Sequence, residues 1–174
     1  MKIKREEITE QGIQVEFTKD TSWLSELFRE EKEVHFSFAA PTTVSLKISR
    51  SGKNVFIHGT LDTSLLLACT KCAEDFVYPL REAITYTLTP RVGTMKRHAE
   101  TELTSEDLEF SFYDGEDIDL GQIVKEQIFL SVPAYPRCTH SCKGLCPVCG
   151  INLNVDTCQC SQRKEHSTFS AIGR

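Results

Sequence analysis

No apolar run in the chain approaches the roughly 18 residues that a membrane-spanning helix needs, so no membrane partner is expected. The opening stretch, Met1-Lys2-Ile3-Lys4-Arg5-Glu6-Glu7, has none of the apolar core of a secretory signal. The expected compartment is therefore reducing and cytoplasmic. The chain also lacks an internal repeat, a low-complexity segment and a Gly-rich phosphate loop. Its histidines, His35, His58, His98, His140 and His166, are scattered. No His-and-carboxylate set of the kind that leaves a catalytic metal an open position can be assembled from them. No Ser/His/Asp arrangement can be argued from spacing either. The expectation is a protein that is not an enzyme and takes no small-molecule substrate.

An excess of positive charge is missing as well. Twenty Lys and Arg stand against 25 Asp and Glu, for a formal charge of -5. Broad nonspecific affinity for nucleic acid needs many phosphates neutralised, and this balance does not supply it. The charge is uneven, however. Residues 134–174 carry +3 and the rest of the chain -8, and residues 100–119 hold nine carboxylates with no Lys or Arg. The ordinary reading of both stretches is a solvated surface; the other is an anionic partner for the tail and a cation or basic protein for the acidic run.

What the chain does have is apolar alternation. Ile13, Val15 and Phe17 read as a half-buried strand, as do Val34, Phe36 and Phe38. Between them Trp23, Leu24, Leu27 and Phe28 mark one face of a short helix with Ser22 as its candidate cap. Val44, Leu46 and Ile48, then a Ser51-Gly52-Lys53-Asn54 turn, then Val55, Ile57 and Leu61 predict a hairpin. Leu65-Leu66-Leu67 is a buried run, and Phe76, Tyr78, Ile84, Tyr86 and Leu88 continue the strand pattern. Residues 91–107 read as a loop, Leu108, Phe110 and Phe112 as a strand, and Asp114-Gly115 as a turn. Asp119 is placed to cap a helix with an Ile123, Val124, Ile128 and Val132 stripe that Pro133 and Pro136 end. The expected fold is α+β and β-rich: an antiparallel meander or barrel-like sheet with two or three helices over residues 1–136, then a Cys-rich zinc-knuckle appendix over 137–174.

Eight cysteines are the loudest feature. Cys69 and Cys72 stand apart, and Cys138, Cys142, Cys146, Cys149, Cys158 and Cys160 crowd the tail. In a reducing compartment such spacing points to metal or redox chemistry rather than disulfides. In Cys146-Pro147-Val148-Cys149-Gly150 a C-x2-C pair sets two thiolates on one side of a tight turn. Pro147 fixes one dihedral, and Gly150 permits the left-handed conformation after the second sulfur. The ligands expected for a structural zinc are drawn from Cys142, Cys146, Cys149, Cys158 and Cys160, with one of the last two sufficing for four-coordination and Cys138 the candidate outsider. Asn152 and Asn154 read as turn formers, and His140, inside the cluster, is a lesser candidate ligand. Cys69-Thr70-Lys71-Cys72 has three open readings: two ligands shared with the knuckle, a redox pair, or buried cysteines. Its β context disfavours the thioredoxin type, which sits at a helix N-terminus.

The segments Cys69-Thr70-Lys71-Cys72, Asp117-Ile118-Asp119-Leu120 opening a helix with Glu126 and Leu130, Ser131-Val132-Pro133 closing it, Cys142-Lys143-Gly144-Leu145-Cys146-Pro147-Val148-Cys149-Gly150-Ile151-Asn152-Leu153-Asn154 and Cys158-Gln159-Cys160 occur in an order that resembles the bacterial YceD family. These are the large ribosomal RNA subunit accumulation proteins. The resemblance covers roughly residues 40–165 and is most specific in the tail. It implies a cytoplasmic bacterial protein needed for normal 23S rRNA levels and a part in large-subunit biogenesis. The implied partner is 23S rRNA or a large-subunit ribosomal protein. It brings no catalytic residue, and family members without the C-terminal cysteines make the tail a stabilising appendix. Two other readings stand beside it: a zinc-stabilised protein-interaction module with no ribosomal link, and a thiol redox protein.

Overall fold

A computed structural model of the chain describes residues 1–31, 34–90, 111–113 and 115–160. Several features of the sequence lie outside them: the 91–107 loop, Leu108 and Phe110, Asp114, most of the acidic stretch, His98 and His166, and Arg163, Lys164 and Arg174. In chain order the elements are β1 (Lys2–Lys4), a 3-10 turn (Arg5–Glu7), β2 (Ile13–Lys19), α1 (Thr21–Leu27), β3 (Phe36–Phe38), β4 (Thr42–Ser51), β5 (Asn54–Ala68), β6 (Asp75–Pro90), β7 (Ser111–Tyr113), β8 (Asp117–Asp119) and α2 (Leu120–Ser131).

The β4–β5 hairpin is the centre. Its alternation buries Val44, Leu46, Ile48, Val55, Ile57, Leu61, Leu65 and Leu67 on one face. The intervening Thr43, Lys47, His58 and Thr60 are exposed. A slip of one residue would exchange these two sets, so burial of one face fixes the register from Ser51 opposite Asn54 to Thr43 opposite Asp62. The sequence run Leu65-Leu66-Leu67 belongs to the same pattern: its outer members are buried and Leu66 is exposed. β6 pairs with the other edge of β5 along its length, from Val55–Leu88 to Ala68–Asp75. β2 flanks β4, β3 pairs with the far end of β5, and β7 joins β6 in parallel. At Gly59 the hairpin is so close that a Cβ would strike the Ser45 carbonyl oxygen and come within 2.9 Å of the Leu46 Cα. Only glycine fits there.

Among the described residues the sheet is open, in the order β2-β4-β5-β6-β7 with β3 paired to β5. The expected barrel-like closure is therefore corrected. Alternation says that one face is buried, not what buries it, and here a helical layer does so. Leu24 and Phe28 at α1, and Leu120, Ile123, Val124 and Ile128 of α2, join the sheet residues in one apolar core. Each such side chain contributes about 1.5–3 kcal/mol by leaving water. Phe28, Phe36 and Phe38 close one end, with ring centroids 5.4 to 5.7 Å apart. Two α-helices and one 3-10 turn make up the helical content of the described residues.

Both α-helices begin at an aspartate. Asp119 accepts from the Gly121 N–H at 2.9 Å and the Gln122 N–H at 3.4 Å, the cap expected for α2. For α1 the cap is Asp20, which accepts from the Trp23 N–H at 2.9 Å, while the Ser22 hydroxyl donates to Asp20 at 2.8 Å. Ser22 thus supports the cap rather than being it. The strand ending at Tyr113 also differs from expectation. Phe112 is 45% exposed and Tyr113 is buried, its hydroxyl donating to the Lys53 carbonyl at 2.8 Å. A second sheet, β1 with β8, sets Ile3 opposite Ile118.

Candidate functional site

At the end of β5 remote from the Ser51–Asn54 turn, the chain reverses through residues 69–74 into β6. This reversal carries Cys69 and Cys72, and the segment after α2 returns to it. The Thr70 N–H and hydroxyl both donate to the Pro136 carbonyl, at 2.9 and 3.0 Å. The Lys71 ammonium donates to the Cys142 carbonyl at 3.1 Å, and the Leu145 N–H to the Lys71 carbonyl at 3.0 Å.

The eight thiols fall into two groups of four. Cys69, Cys72, Cys138 and Cys142 form a proximal group against the sheet, and Cys146, Cys149, Cys158 and Cys160 a distal one. Within each group the sulfurs lie within 4.8 Å of one another. Spacing alone draws the ligands of one ion from Cys142, Cys146, Cys149, Cys158 and Cys160. The structure places Cys142 with the proximal group and leaves the other four together. Cys138 is in the proximal group, and His140, exposed, is in neither.

The two C-x2-C segments are copies of one turn. The Cys69 N–H donates to the Glu74 carbonyl at 2.9 Å, and the Cys146 N–H to the Ile151 carbonyl at 2.8 Å. The residue after the second cysteine donates back to the carbonyl of the first, Ala73 to Cys69 and Gly150 to Cys146, both at 2.9 Å. Both of these residues are left-handed, Ala73 at φ 60° and Gly150 at φ 75°. The amides inside each turn face its first sulfur: those of Lys71 and Cys72 at Cys69, and those of Val148 and Cys149 at Cys146.

These amides shape the thiol chemistry. Burial works against ionisation of Cys69, but the N–H groups of Cys138, Cys72 and Lys71 outweigh it and hold the thiol down at about 6. The N–H groups of Cys149 and Val148 bring Cys146 to about 6 against its own burial. The Asn154 amide, donating to the Cys142 sulfur at 3.4 Å, is the largest cause of a lowered Cys142. The neighbours move the other way. At Cys72 the Glu74 N–H favours the thiolate, yet burial and the Cys69, Cys142 and Cys138 sulfurs push the thiol up to about 12. The Cys149 sulfur, with burial, drives Cys160 to about 12. In each group the turn amides thus favour the thiolate at the first cysteine, while neighbouring sulfurs disfavour it at another. A divalent cation resolves that conflict, because a coordinating thiol is deprotonated outright.

The donor set fits such a cation. Four sulfurs and no carboxylate suit a soft, tetrahedral ion, zinc foremost. Zinc about 2.3 Å from each of four sulfurs sets them about 3.8 Å apart. The Cys69–Cys142 and Cys72–Cys138 sulfurs are each 3.8 Å apart. Disulfide sulfurs would be about 2.05 Å apart. A set of four thiolates also leaves no open position, so it holds structure and activates no water. The redox reading of Cys69 has its low thiol in favour and its access against: reactive cysteines are partly exposed, and Cys69 is 2% exposed.

Asn154, which the sequence marks only as a turn former, and Ala73, which it does not mark, both belong to this site. Asn154 links the groups: its carbonyl oxygen accepts from the Lys143 N–H at 2.8 Å while its amide meets Cys142. Asn152 forms the expected turn, accepting from the Asn154 N–H at 3.0 Å. Ala73 takes a glycine's place, and only the repeated C-x2-C spacing signals it. The aromatics Phe76, Tyr78 and Tyr86 pack against the apolar core. Among the described residues no helix is long and apolar enough to cross a membrane.

Comparison with known proteins gives one family. The model described as large ribosomal RNA subunit accumulation protein YceD matches residues 57–173, which begins in β5 and takes in every cysteine. The chain is 24% identical over 156 residues to the large ribosomal RNA subunit accumulation protein YCED homolog 1, chloroplastic, of Arabidopsis thaliana, covering 76% of this chain and 48% of that one. To the Zea mays protein of the same name it is 27% identical over 146 residues, covering 71% and 50%. To an uncharacterized protein of Mycobacterium tuberculosis it is 30% identical over 110 residues, covering 63% and 50%. The chain spans about half the length of the curated relatives it matches. No solved structure matches.

Proposed function

Since the chain belongs to the YceD family of large ribosomal RNA subunit accumulation proteins, we propose that it is a non-enzymatic factor in large ribosomal subunit biogenesis, required for 23S rRNA accumulation and acting in the cytoplasm. The observation that carries this reading is the extent of the family match, which runs from within β5 through β6, α2 and both cysteine groups. The chemistry of the site agrees with it. Four-thiolate sets have no position for a substrate, so the tail acts by holding a surface in shape. Structural zinc in the distal knuckle is the cofactor of this reading, with Cys146, Cys149, Cys158 and Cys160 as its ligands.

The contact made at the subunit precursor is with a large-subunit ribosomal protein in preference to bare rRNA. Base recognition in single strands stacks bases on exposed aromatics; Phe76, Tyr78 and Tyr86 of β6 pack against the core, which leaves Phe112, Phe129 and Tyr135 as exposed ones among the described residues. The net charge of -5 favours the protein partner.

The test is co-sedimentation of the purified chain with large-subunit precursors at two salt concentrations, alongside the ratio of 23S to 16S rRNA in cells depleted of the protein. Binding that survives salt, with 23S rRNA falling on depletion, is the expected result. Binding abolished by salt would transfer the contact to rRNA phosphates. No binding and an unchanged ratio would leave a zinc-stabilised interaction module with no ribosomal link.

A further inference from the structure

We infer that the proximal group, Cys69, Cys72, Cys138 and Cys142, is a zinc site in its own right, so that the chain carries two zinc ions and the proximal one fastens the C-terminal segment to the sheet. This rests on the geometry of the thiols and not on the ribosomal role.

Four features of the proximal group agree. The first is reach. Its ligands come from the β5–β6 reversal and from the segment after α2, separated by 73 residues for Cys69 and Cys142 and by 66 for Cys72 and Cys138. Thiols so distant in sequence converge on one point only because the whole fold brings them there. The second is shape, since both of these cross-chain pairs have the 3.8 Å spacing of sulfurs on one tetrahedral zinc. The third is duplication. The Cys69–Glu74 turn repeats the Cys146–Ile151 knuckle bond for bond, including a left-handed residue that is an alanine in the proximal copy. A turn that accepts this strain at Ala73 while burying both Cys69 and Cys72 has a reason to hold the two sulfurs together. The fourth is the outer shell. Asn154 donates to the Cys142 sulfur, and amides face the Cys69 sulfur, as groups around a bound metal orient and charge-balance its ligands.

The burial of the group states its role. Cys69, Cys72 and Cys142 are buried and form a small cluster of their own with Phe76 and Cys138. It sits beside the main core, where a cation bound by four thiolates takes the place of apolar packing. Around it the backbone bonds Thr70 to Pro136 and Leu145 to Lys71 stitch the same two segments. The distal group has no ligand from the sheet, since all of its cysteines belong to the tail. The proximal ion is therefore the clamp and the distal ion the organiser of the knuckle.

The experiment is metal analysis of the full chain purified under reducing conditions, with Cys72→Ser, Cys149→Ser and the double variant beside it. Expected are two zinc per chain in the unchanged protein, one in each single variant and none in the double. Amide exchange at Thr70 and Leu145 should rise in Cys72→Ser and stay slow in Cys149→Ser. Should Cys72→Ser fail to fold, cobalt(II) titration of the metal-free unchanged chain decides: a tetrathiolate spectrum that grows to two equivalents is expected. One zinc, lost in Cys149→Ser and kept in Cys72→Ser, or cobalt saturation at one equivalent, would overturn the proximal site while leaving zinc in the distal knuckle. No zinc in any sample would overturn both. Iron in place of zinc, seen as visible absorbance of the purified chain, would overturn the choice of metal.

Discussion

Ala73 and Gly150 hold the same place in two copies of one turn. Each follows the second cysteine of a C-x2-C pair, each is left-handed, and each returns its N–H to the carbonyl of the first cysteine at 2.9 Å. Glycine takes that conformation without a Cβ clash, whereas an L-residue is penalised by about 1–2 kcal/mol. Ala73→Gly should accordingly raise the stability of the metal-bound chain by up to about 1 kcal/mol, the remainder being offset by glycine's freedom in the unfolded state. Gly150→Ala should lower it by about 1–2 kcal/mol. Urea unfolding with metal in excess measures both, and equal effects of the same sign would refute the equivalence.

Gly59→Ala tests the close approach at the centre of the sheet. The added methyl would meet the Ser45 carbonyl and the Leu46 backbone, which cannot move aside as a side-chain tip could. A loss of about 1–3 kcal/mol is expected, as for other overpacked interiors. Thermal unfolding that matches the unchanged chain would show that β4 and β5 are not so tightly apposed.

The residues of the β body and the distal knuckle should come apart on Cys149→Ser. Zinc leaves the distal group, amides in 146–160 exchange faster, and amides of the β4–β5 hairpin remain protected. Hydrogen exchange read residue by residue gives the answer. Loss of protection throughout would mean that residues 1–136 and 137–174 are one cooperative unit rather than a body with an appendix.

Asp119→Ala removes the cap of α2 and should cost about 1 kcal/mol. Asp119→Asn keeps an acceptor oxygen and should cost less. If the two variants unfold at the same denaturant concentration, the hydrogen bonds to Gly121 and Gln122 contribute nothing.

Much of this architecture is legible in the sequence. Strands β2, β4, β5 and β6 announce themselves because each buries one face, and side chains alternate strictly along a strand. The Asp119 cap and the Pro133 stop bracket α2 for equally local reasons. What local pattern cannot carry is the identity of the partner. The same alternation serves a closed barrel and a sheet covered by helices, and the second is what forms. Phe110 and Phe112 set one phase for the strand at 108–112, but the hydroxyl of Tyr113 finds the Lys53 carbonyl and Tyr113 turns inward. The cysteines follow the same rule. Spacing identifies C-x2-C pairs, yet Cys142, four residues before Cys146 in the chain, belongs in space with Cys69. Only a long-range contact, Lys71 with Cys142 and Leu145, sorts the thiols into their groups.

The pairing of β1 with β8 has a bearing on the order of events during synthesis. Lys2–Lys4 are made early, and Asp117–Asp119 much later. The hairpin of β4 and β5 can close as soon as its turn is complete, because its loop is short. The first strand has no such neighbour and must wait, with Ile3 unpartnered, until Ile118 has been added. Its docking is consequently a late latch on a sheet whose central hairpin can already have closed.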